Sequence, residues 1–289
     1  MKILVLGITG MLGNTVFKVL SQSPEHQVIG TLRDKKMLEH FDLQQVGEII
    51  TGLDVLDAEA LSETIHTIQP QVVINCIGVI KQLDNAKDPL AVLPLNSLFP
   101  HQLAKLCKSI NAKLIHISTD CVFNGRKGMY KEEDVSDAED LYGKSKYIGE
   151  LHDLPHAVTL RTSIIGHELN SQDSLVDWFL SQQNTVKGYK KAIFSGLPTI
   201  ELAHVIEKFV LPRPEMTGLY HVSVDPIDKY SLLTLIATVY GKEIDIVADE
   251  AVIIDRSLNS DKFKATTGYQ PPNWRALVET MYQNQEGMK

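Results

Sequence analysis

With 289 residues, the chain is long enough for one large domain or for a core domain carrying a smaller lobe. Hydrophobic residues make up 44% and charged residues 22%, a globular composition rather than a disordered or fibrous one. The formal charge of -8 argues against general nucleic-acid binding, which needs a basic face, but leaves room for a small anion held by local donors.

Cys76, Cys107 and Cys121 are too few and too scattered for a disulfide framework, and no CxxC or HExxH spacing occurs, so no metal is expected. A reducing, cytoplasmic setting fits this cysteine usage best. Met1 and Lys2 ahead of an apolar run faintly resemble a signal peptide. The single Lys, the fixed glycine spacing and the lack of a small-residue cleavage site oppose that reading. Apolar stretches such as 72–80 fall far below the ~20 residues of a membrane helix, so no membrane partner is expected.

The run 3–6 is continuously apolar, as in a strand buried on both faces of a parallel sheet. It leads into Gly7, Thr9, Gly10, Met11, Leu12 and Gly13, then an amphipathic helix to about Leu20. Strand, glycine turn and helix in that order form the context of a dinucleotide fingerprint, here spaced GxxGxxG. The glycines allow a tight turn and let backbone N–H groups approach a pyrophosphate at the helix N-terminus. A purely structural turn is the alternative.

A second strand, 27–32, ends at Arg33, where an Arg accommodates a 2′-phosphate and an acidic residue would grip a ribose. This favours NADPH; the neighbouring Asp34 keeps NADH open, and a solvated Arg33 is the bland reading. A short strand at 48–51 leads to Asp54 and Val55, with Asp54 free to face an adenine amine, and Asp57 reads as the N-cap of a helix to Ile68. The strand 71–75 ends in Cys76, Ile77 and Gly78, small or apolar residues that let a nicotinamide lie against the backbone. Cys76 has no His placed to activate it and reads as packing.

A long helix is expected over 88–110, interrupted at Pro94 and Pro100, followed by a strand at 113–117 with His116 as a core residue. Strands and helices alternate throughout this half, which predicts a doubly wound parallel sheet. Ser118, Thr119 and Asp120 follow at a strand's carboxyl end, where ligands sit in such sheets. On the next helix Tyr142 and Lys146 stand one turn apart on one face, a phenol beside an ammonium able to lower its pKa. Further on, a helix at 174–181 carries Trp178 and Phe179 as core residues, and 199–211 reads as an amphipathic helix. Lys187, Tyr189, Lys190 and Lys191 form a basic group that could meet a diphosphate or lie in solvent. A strand at 218–224 and a β-rich piece at 243–247 complete the reading.

These stretches jointly resemble the extended short-chain dehydrogenase/reductases and, within them, the dTDP-4-dehydrorhamnose reductase family. The resemblance is carried by the glycine turn, by Ser118, Thr119, Asp120, Val122, Phe123 and Gly125, and by Tyr142 to Lys146 with Gly149 and Glu150 behind. It continues through Leu160 to Ser163, Pro198 and Thr199, Gly218, Tyr220 and His221, and Asn259, Ser260, Lys262 and Phe263. The family implies a Rossmann-type doubly wound sheet with a smaller C-terminal substrate-binding lobe. Residues 1–162 with about 195–224 would form the NADP-binding domain, and about 163–194 with 225–289 the lobe. It implies NADPH-dependent reduction, with NAD possible, of the C4 ketone of a nucleotide-linked 4-keto-6-deoxysugar in surface polysaccharide biosynthesis.

By the same resemblance Tyr142 is the general acid, Lys146 lowers its pKa and holds the nicotinamide ribose, and Thr119 holds the carbonyl oxygen. Arg256 aligns with the family's substrate region and suits a diphosphate; a surface ion pair is the alternative. Two departures bear on the sugar. Cys121 replaces an aromatic, and Ile164 stands where rhamnose-pathway members commonly carry a substrate-contacting Trp. A UDP-linked 4-keto-6-deoxy-N-acetylhexosamine is therefore an alternative substrate. An epimerase or dehydratase of the same fold, and a non-catalytic NADP-binding regulatory subunit, are the competing functions; a homodimer stays open.

Overall fold

The computed structural model describes residues 1–42, 47–80, 86–169 and 171–286. The first strand, β1 (Lys2–Leu6), lies in the interior of a seven-stranded parallel sheet. Its side chains alternate between two cores: Ile3 and Val5 join one apolar cluster, Leu4 and Leu6 the other. That double burial is why the run is apolar without a break. On one side of β1 lie β2 (Gln27–Leu32) and β3 (Glu48–Thr51). On the other lie β4 (Val72–Asn75), β5 (Lys113–Thr119) and β6 (Ala157–Thr162), with β11 (Gly218–His221) at the edge. The chain order reverses between β1 and β4, which opens a crevice at the carboxyl ends of those strands.

Helices cover both faces. After β1 comes α1 (Met11–Ser21); after β3, α2 (Ala58–Ile68), whose N-cap Asp57 accepts from the backbone of Glu59 and Ala60. Between β4 and β5 run α3 (Pro89–Leu93), a π-helical turn (Pro94–Leu98) and α4 (Phe99–Ser109). The expected breaks at Pro94 and Pro100 are instead one continuous helical path that widens, because prolines cannot donate the normal bonds and the backbone N–H of Phe99 reaches Pro94 O. Beyond β5, α5 (Leu141–Ile148) carries the Tyr142 face.

Smaller sheets form from the segments after β6 and after β11. β7 (Ile164–Ile165) pairs with β10 (Leu197–Pro198), and β8 (Thr185–Tyr189) with β13 (Asp245–Asp249). β9 (Ala192–Phe194) lies between β12 (Ile227–Asp228) and β14 (Ile254–Asp255). The helices here are α6 (Leu175–Ser181), α7 (Thr199–Val205), α8 (Lys229–Tyr240), α9 (Asp261–Thr267) and α10 (Trp274–Glu286). α7 runs on into a second π-helical turn, Ile206–Val210. Phe179 is buried as expected, but Trp178 is 38% exposed, since the next residue of a helix points about 100° away. The basic group on β8 and its turn is drawn into surface contacts. Lys187 pairs with Asp249 at 2.9 Å and Lys191 with Glu250 at 2.8 Å, while Lys190 lies over the Tyr230 ring. Among the described residues, no helix is long and apolar enough to cross a membrane.

The turn before α1 is set by backbone contact. A Cβ on Gly13 would stand 2.1 Å from the carbonyl oxygen of Gly7, a distance no side chain tolerates. We therefore expect Gly13→Ala to lower the urea midpoint, with a loss of about 1–3 kcal/mol or more typical of overpacking, and to weaken dinucleotide binding in a fluorescence titration.

Candidate active site

The crevice holds a cavity of about 580 Å³. Its first wall is the glycine turn: Thr9, Gly10, Met11 and Leu12 line it. Gly7 and Gly13 do not, since they shape the turn from behind, Gly7 in the left-handed region at φ 83°. A Cβ on Gly10 would meet only Gly7 O, at 3.6 Å, so the turn's backbone is open to the cavity. Cys76, Ile77 and Gly78 form the second wall. Burial pushes the Cys76 thiol up to about 12 despite Lys146 nearby, and its side chain packs against the apolar core.

The reacting end is built by β5 and α5. Thr119 Oγ1 accepts from the backbone N–H of Cys121 at 3.1 Å and donates to Asp120 Oδ1 at 3.2 Å. Its hydroxyl also acts on the Tyr142 phenol, lowering it. Tyr142 is half-buried, and its phenol is raised above the usual value, first by burial and then by Cys121, Asp120 and Asp140, against the Thr119 hydrogen bond. Lys146 was expected to lower it. In the structure Lys146 Nζ donates to Ile117 O at 2.8 Å. Burial brings the ammonium down to about 8, opposed by Glu150 and Cys76.

Two packing features hold this arrangement. A Cβ on Gly143 would lie 2.1 Å from Cys121 O, so α5 rests directly on the backbone that follows Thr119. Asn96, in the π-helical turn, accepts from Val79 N at 2.8 Å and donates to Val79 O and to Ser145 Oγ, clamping the second wall to α5. Behind the site, buried Arg161 forks onto Glu150 (2.9 and 2.6 Å), and Ser118 Oγ donates to the same carboxylate at 2.6 Å. Arg161 Nη1 meets His221 Nε2 at 2.8 Å. Burial would raise the Glu150 carboxyl, but hydrogen bonds from His152, Arg161 and Ser118 hold it at about 2. Burial and Arg161 bring His221 down to about 3.

The structure thus brings Thr9, Gly10, Met11 and Leu12 together with Cys76, Ile77 and Gly78 around one cavity. Ser118, Thr119, Asp120, Tyr142 and Lys146 close its reacting end, and Ile164 and Arg256 stand on its far side. Arg33, Asp54 and Val55 do not line it. Arg33 is exposed at the end of β2, Asp34 caps the following turn through Lys36 N, Asp54 accepts from Leu56 N, and Val55 packs in the core. The turn occupies Asp54 Oδ1 alone and leaves its Oδ2 exposed. Arg256 is partly spent as well: Nε donates to Phe123 O at 2.7 Å, and Nη1 faces Cys121 Sγ. His116 is a core residue, bonded to Asn75. Among the described residues no cluster of acidic, His or Cys side chains is placed to hold a metal.

The glycine cradle with its open backbone, the small and apolar second wall, and a Lys beside the Tyr-bearing cleft fit a nicotinamide dinucleotide. Comparison with known proteins agrees with that chemistry. Residues 1–286 match the RmlD substrate binding domain. The chain belongs to the RmlD substrate-binding family.

Its curated relatives fall into two groups. The beta subunit of methionine adenosyltransferase 2 from Rattus norvegicus is 36% identical over 150 residues, 52% of this chain and 41% of that protein, so the match spans under half of the relative's length. A dTDP-4-dehydrorhamnose reductase from Aggregatibacter actinomycetemcomitans is 25% identical over 97% of this chain and 98% of its own. Among solved structures, a dTDP-4-dehydrorhamnose reductase from Bacillus anthracis in complex with NADP superposes with a TM-score of 0.79 at 21% identity, covering 98% of this chain and 99% of that one.

Several residues around the site of this RmlD-family chain escape a sequence reading. Asn96 lies in a proline-interrupted stretch with no periodic signal. Lys229 and Phe194, which also line the cavity, come from the irregular second half, and only the cap Asp228 marks where α8 begins. Glu150 was legible as part of a motif, but not as the partner of Arg161.

The unfolded chain takes up a proton at Glu150 near the ordinary carboxylate value of 4.5, whereas the folded chain resists until about 2. Its stabilisation is complete above pH 4.5 and drains as pH falls toward 2. His221, held neutral to about 3, acts in the same sense over the window from 6.5 to 3. We expect Glu150→Gln to lose about 3–5 kcal/mol at neutral pH, from the uncompensated Arg161. Its stability should also fall less steeply than wild type between pH 4.5 and 2, followed by urea unfolding across that range.

Proposed function

We propose that the chain is an NADPH-dependent reductase of the C4 ketone of a nucleotide-linked 4-keto-6-deoxysugar, with NADH as a possible substitute. It would act in the cytoplasm on the way to a surface polysaccharide. The observation that carries this reading is the convergence of Thr119, Tyr142 and Lys146 on the cavity that the open glycine turn also lines. When bound, a reduced nicotinamide would supply the hydride.

The protein's own residues supply the rest. Gly10, Met11 and Leu12 present backbone to the dinucleotide, and Arg33 stands at the strand end where a 2′-phosphate would lie. Thr119 orients the carbonyl oxygen and stabilises the negative charge that develops there. Tyr142 then gives up its phenolic proton to that oxygen, completing the alcohol. Lys146, beside Gly78, carries the positive charge of this end of the cleft. The raised phenol suits this direction: it is protonated at neutral pH, as a general acid must be. The substrate-binding portion would be residues 163–194 and 225–289, over an NADP-binding part made of 1–162 and 195–224.

The sugar is either dTDP-4-dehydrorhamnose-like or a UDP-linked 4-keto-6-deoxy-N-acetylhexosamine. Ile164 in place of a Trp supports the second. A non-catalytic reading is favoured by one observation, the likeness to methionine adenosyltransferase 2 subunit beta. In that case the chain would bind NADP without turnover and alter the activity of a partner enzyme.

A panel of dTDP-, UDP- and GDP-linked 4-keto sugars, followed by loss of NADPH absorbance, separates the two. Oxidation of NADPH by any of them establishes the reductase; none, with tight NADP binding, favours the regulatory subunit. Tyr142→Phe should retain NADP binding while losing turnover by about 10²- to 10⁴-fold, and undiminished reduction would remove Tyr142 from the mechanism. Arg33→Ala should weaken NADPH binding about tenfold or more with little effect on NADH, read by fluorescence titration; equal losses would leave Arg33 a surface charge.

A further inference from the structure

The hydroxyl assigned to the substrate carbonyl is already in use. Thr119 Oγ1 accepts from the backbone N–H of Cys121 at 3.1 Å and donates its one proton to Asp120 Oδ1 at 3.2 Å. An ionised carboxylate has no proton to give back. As a charged acceptor it also holds a hydroxyl proton more firmly than a neutral ketone oxygen can. With Asp120 ionised, Thr119 offers a ketone only lone pairs.

Protonating Asp120 reverses that bond. The carboxylic acid then donates to Thr119 Oγ1, whose two lone pairs are filled by this O–H and by the Cys121 N–H. The hydroxyl's own proton is released to the ketone oxygen, where negative charge grows as hydride arrives. The surroundings bring the neutral acid within reach. Asp120 is 8% exposed, and burial raises its carboxyl above the ordinary 3.8. Arg256 beyond β14, Lys229 at the start of α8, and the Cys121 and Thr119 side chains oppose that rise. Tyr142 on α5 lies within the same field. A ketone and a neutral reduced nicotinamide filling the cavity would displace water and disfavour the carboxylate further.

We infer that Asp120 is a positioning residue acting through Thr119, whose hydroxyl serves the substrate ketone only while Asp120 carries a proton. The inference rests on the reductase reading and adds a pH control to the same site. The proton is drawn from solvent as the ketone binds and stays on Asp120. The proton that completes the alcohol is still that of Tyr142.

Two measurements test this. In the first, the dTDP- and UDP-linked 4-keto sugars are titrated into the full chain saturated with NADP⁺, by calorimetry in buffers of different ionisation enthalpy. Binding to wild type should take up a proton, rising with pH toward about one per chain, and Asp120→Asn should take up none. In the second, kcat for NADPH oxidation is followed between about pH 5 and 8. Wild type should lose about 10²-fold as pH rises, the cost of one oxyanion donor. Asp120→Asn should be flat and faster than wild type at the alkaline end, whereas Thr119→Val should be flat and slow throughout. Lys146, near 8, titrates alike in all three chains, and NADP⁺ affinity checks that each variant is folded. A flat wild-type profile, or an Asp120→Asn chain that is slow at every pH, overturns the inference and leaves the reductase reading intact. Proton uptake lost in Asp120→Asn, with no NADPH oxidised by any sugar, removes the reductase reading and keeps the proton link. Failure of every 4-keto sugar to bind ends both.

Discussion

The buried pair of Glu150 and Arg161 is the interaction on which the site depends. It lies beneath the cleft and joins four pieces of chain: the end of the Tyr142 helix, the Ser118 end of β5, β6, and His221 on β11. A buried ion pair is weak evidence for stability in general, because desolvation offsets the attraction. Here the Glu150 carboxylate has four partners, three of the five guanidinium N–H groups have one, and the Phe123 ring lies 4.9 Å from the guanidinium. The pair fixes the relative placement of Thr119, one residue from Ser118, and of Tyr142, eight residues from Glu150. It also places a carboxylate near Lys146, which offsets part of the desolvation that lowers the ammonium. One buried charge network thus serves both geometry and protonation state.

The cavity arises where the sheet's order reverses, and its two halves have different origins. The dinucleotide side comes from turns directly after β1 and β4 and the hydroxyls at the end of β5, all elements of regular periodicity. The opposing side comes from β7, β9, β14 and the start of α8, short pieces held by pairing with one another. Thr119, Tyr142 and Lys146 sit on the regular half, and Ile164, Lys229 and Arg256 on the irregular one. The likeness to both a sugar reductase and a regulatory subunit is compatible with this division, since the dinucleotide-binding sheet serves either.

That division also explains what could be read in the sequence. The parallel sheet was legible because strands buried on two faces have unbroken apolar runs, and because the glycine turn stands in a strand–turn–helix context. Asp57 was read as an N-cap and caps α2 through two backbone groups. Thr119, Tyr142 and Lys146 were found by spacing and position. What spacing could not give was direction: Lys146 turns to the Ile117 carbonyl, and Asp54 turns back onto its own loop. The basic residues of β8 looked available because their acidic partners lie some sixty residues away, brought alongside only by the parallel pairing with β13. Lys229 had no motif to announce it, and its significance comes from the cavity it enters.

Gly143 has a consequence for how such a site can change over time. With 2.1 Å between its would-be Cβ and the Cys121 carbonyl, the seam between α5 and the segment after Thr119 is backbone against backbone. Beside that carbonyl stands only the small Ala138 side chain, 2.8 Å from the would-be Cβ, so replacing the glycine forces α5 and the segment after Thr119 apart. The opposite wall has no such constraint. Ile164, Lys229 and Arg256 project from separate short elements, and each can be exchanged while the others remain. A lineage built on this frame would diversify by altering which ligand it grips, while Tyr142 stays where it is.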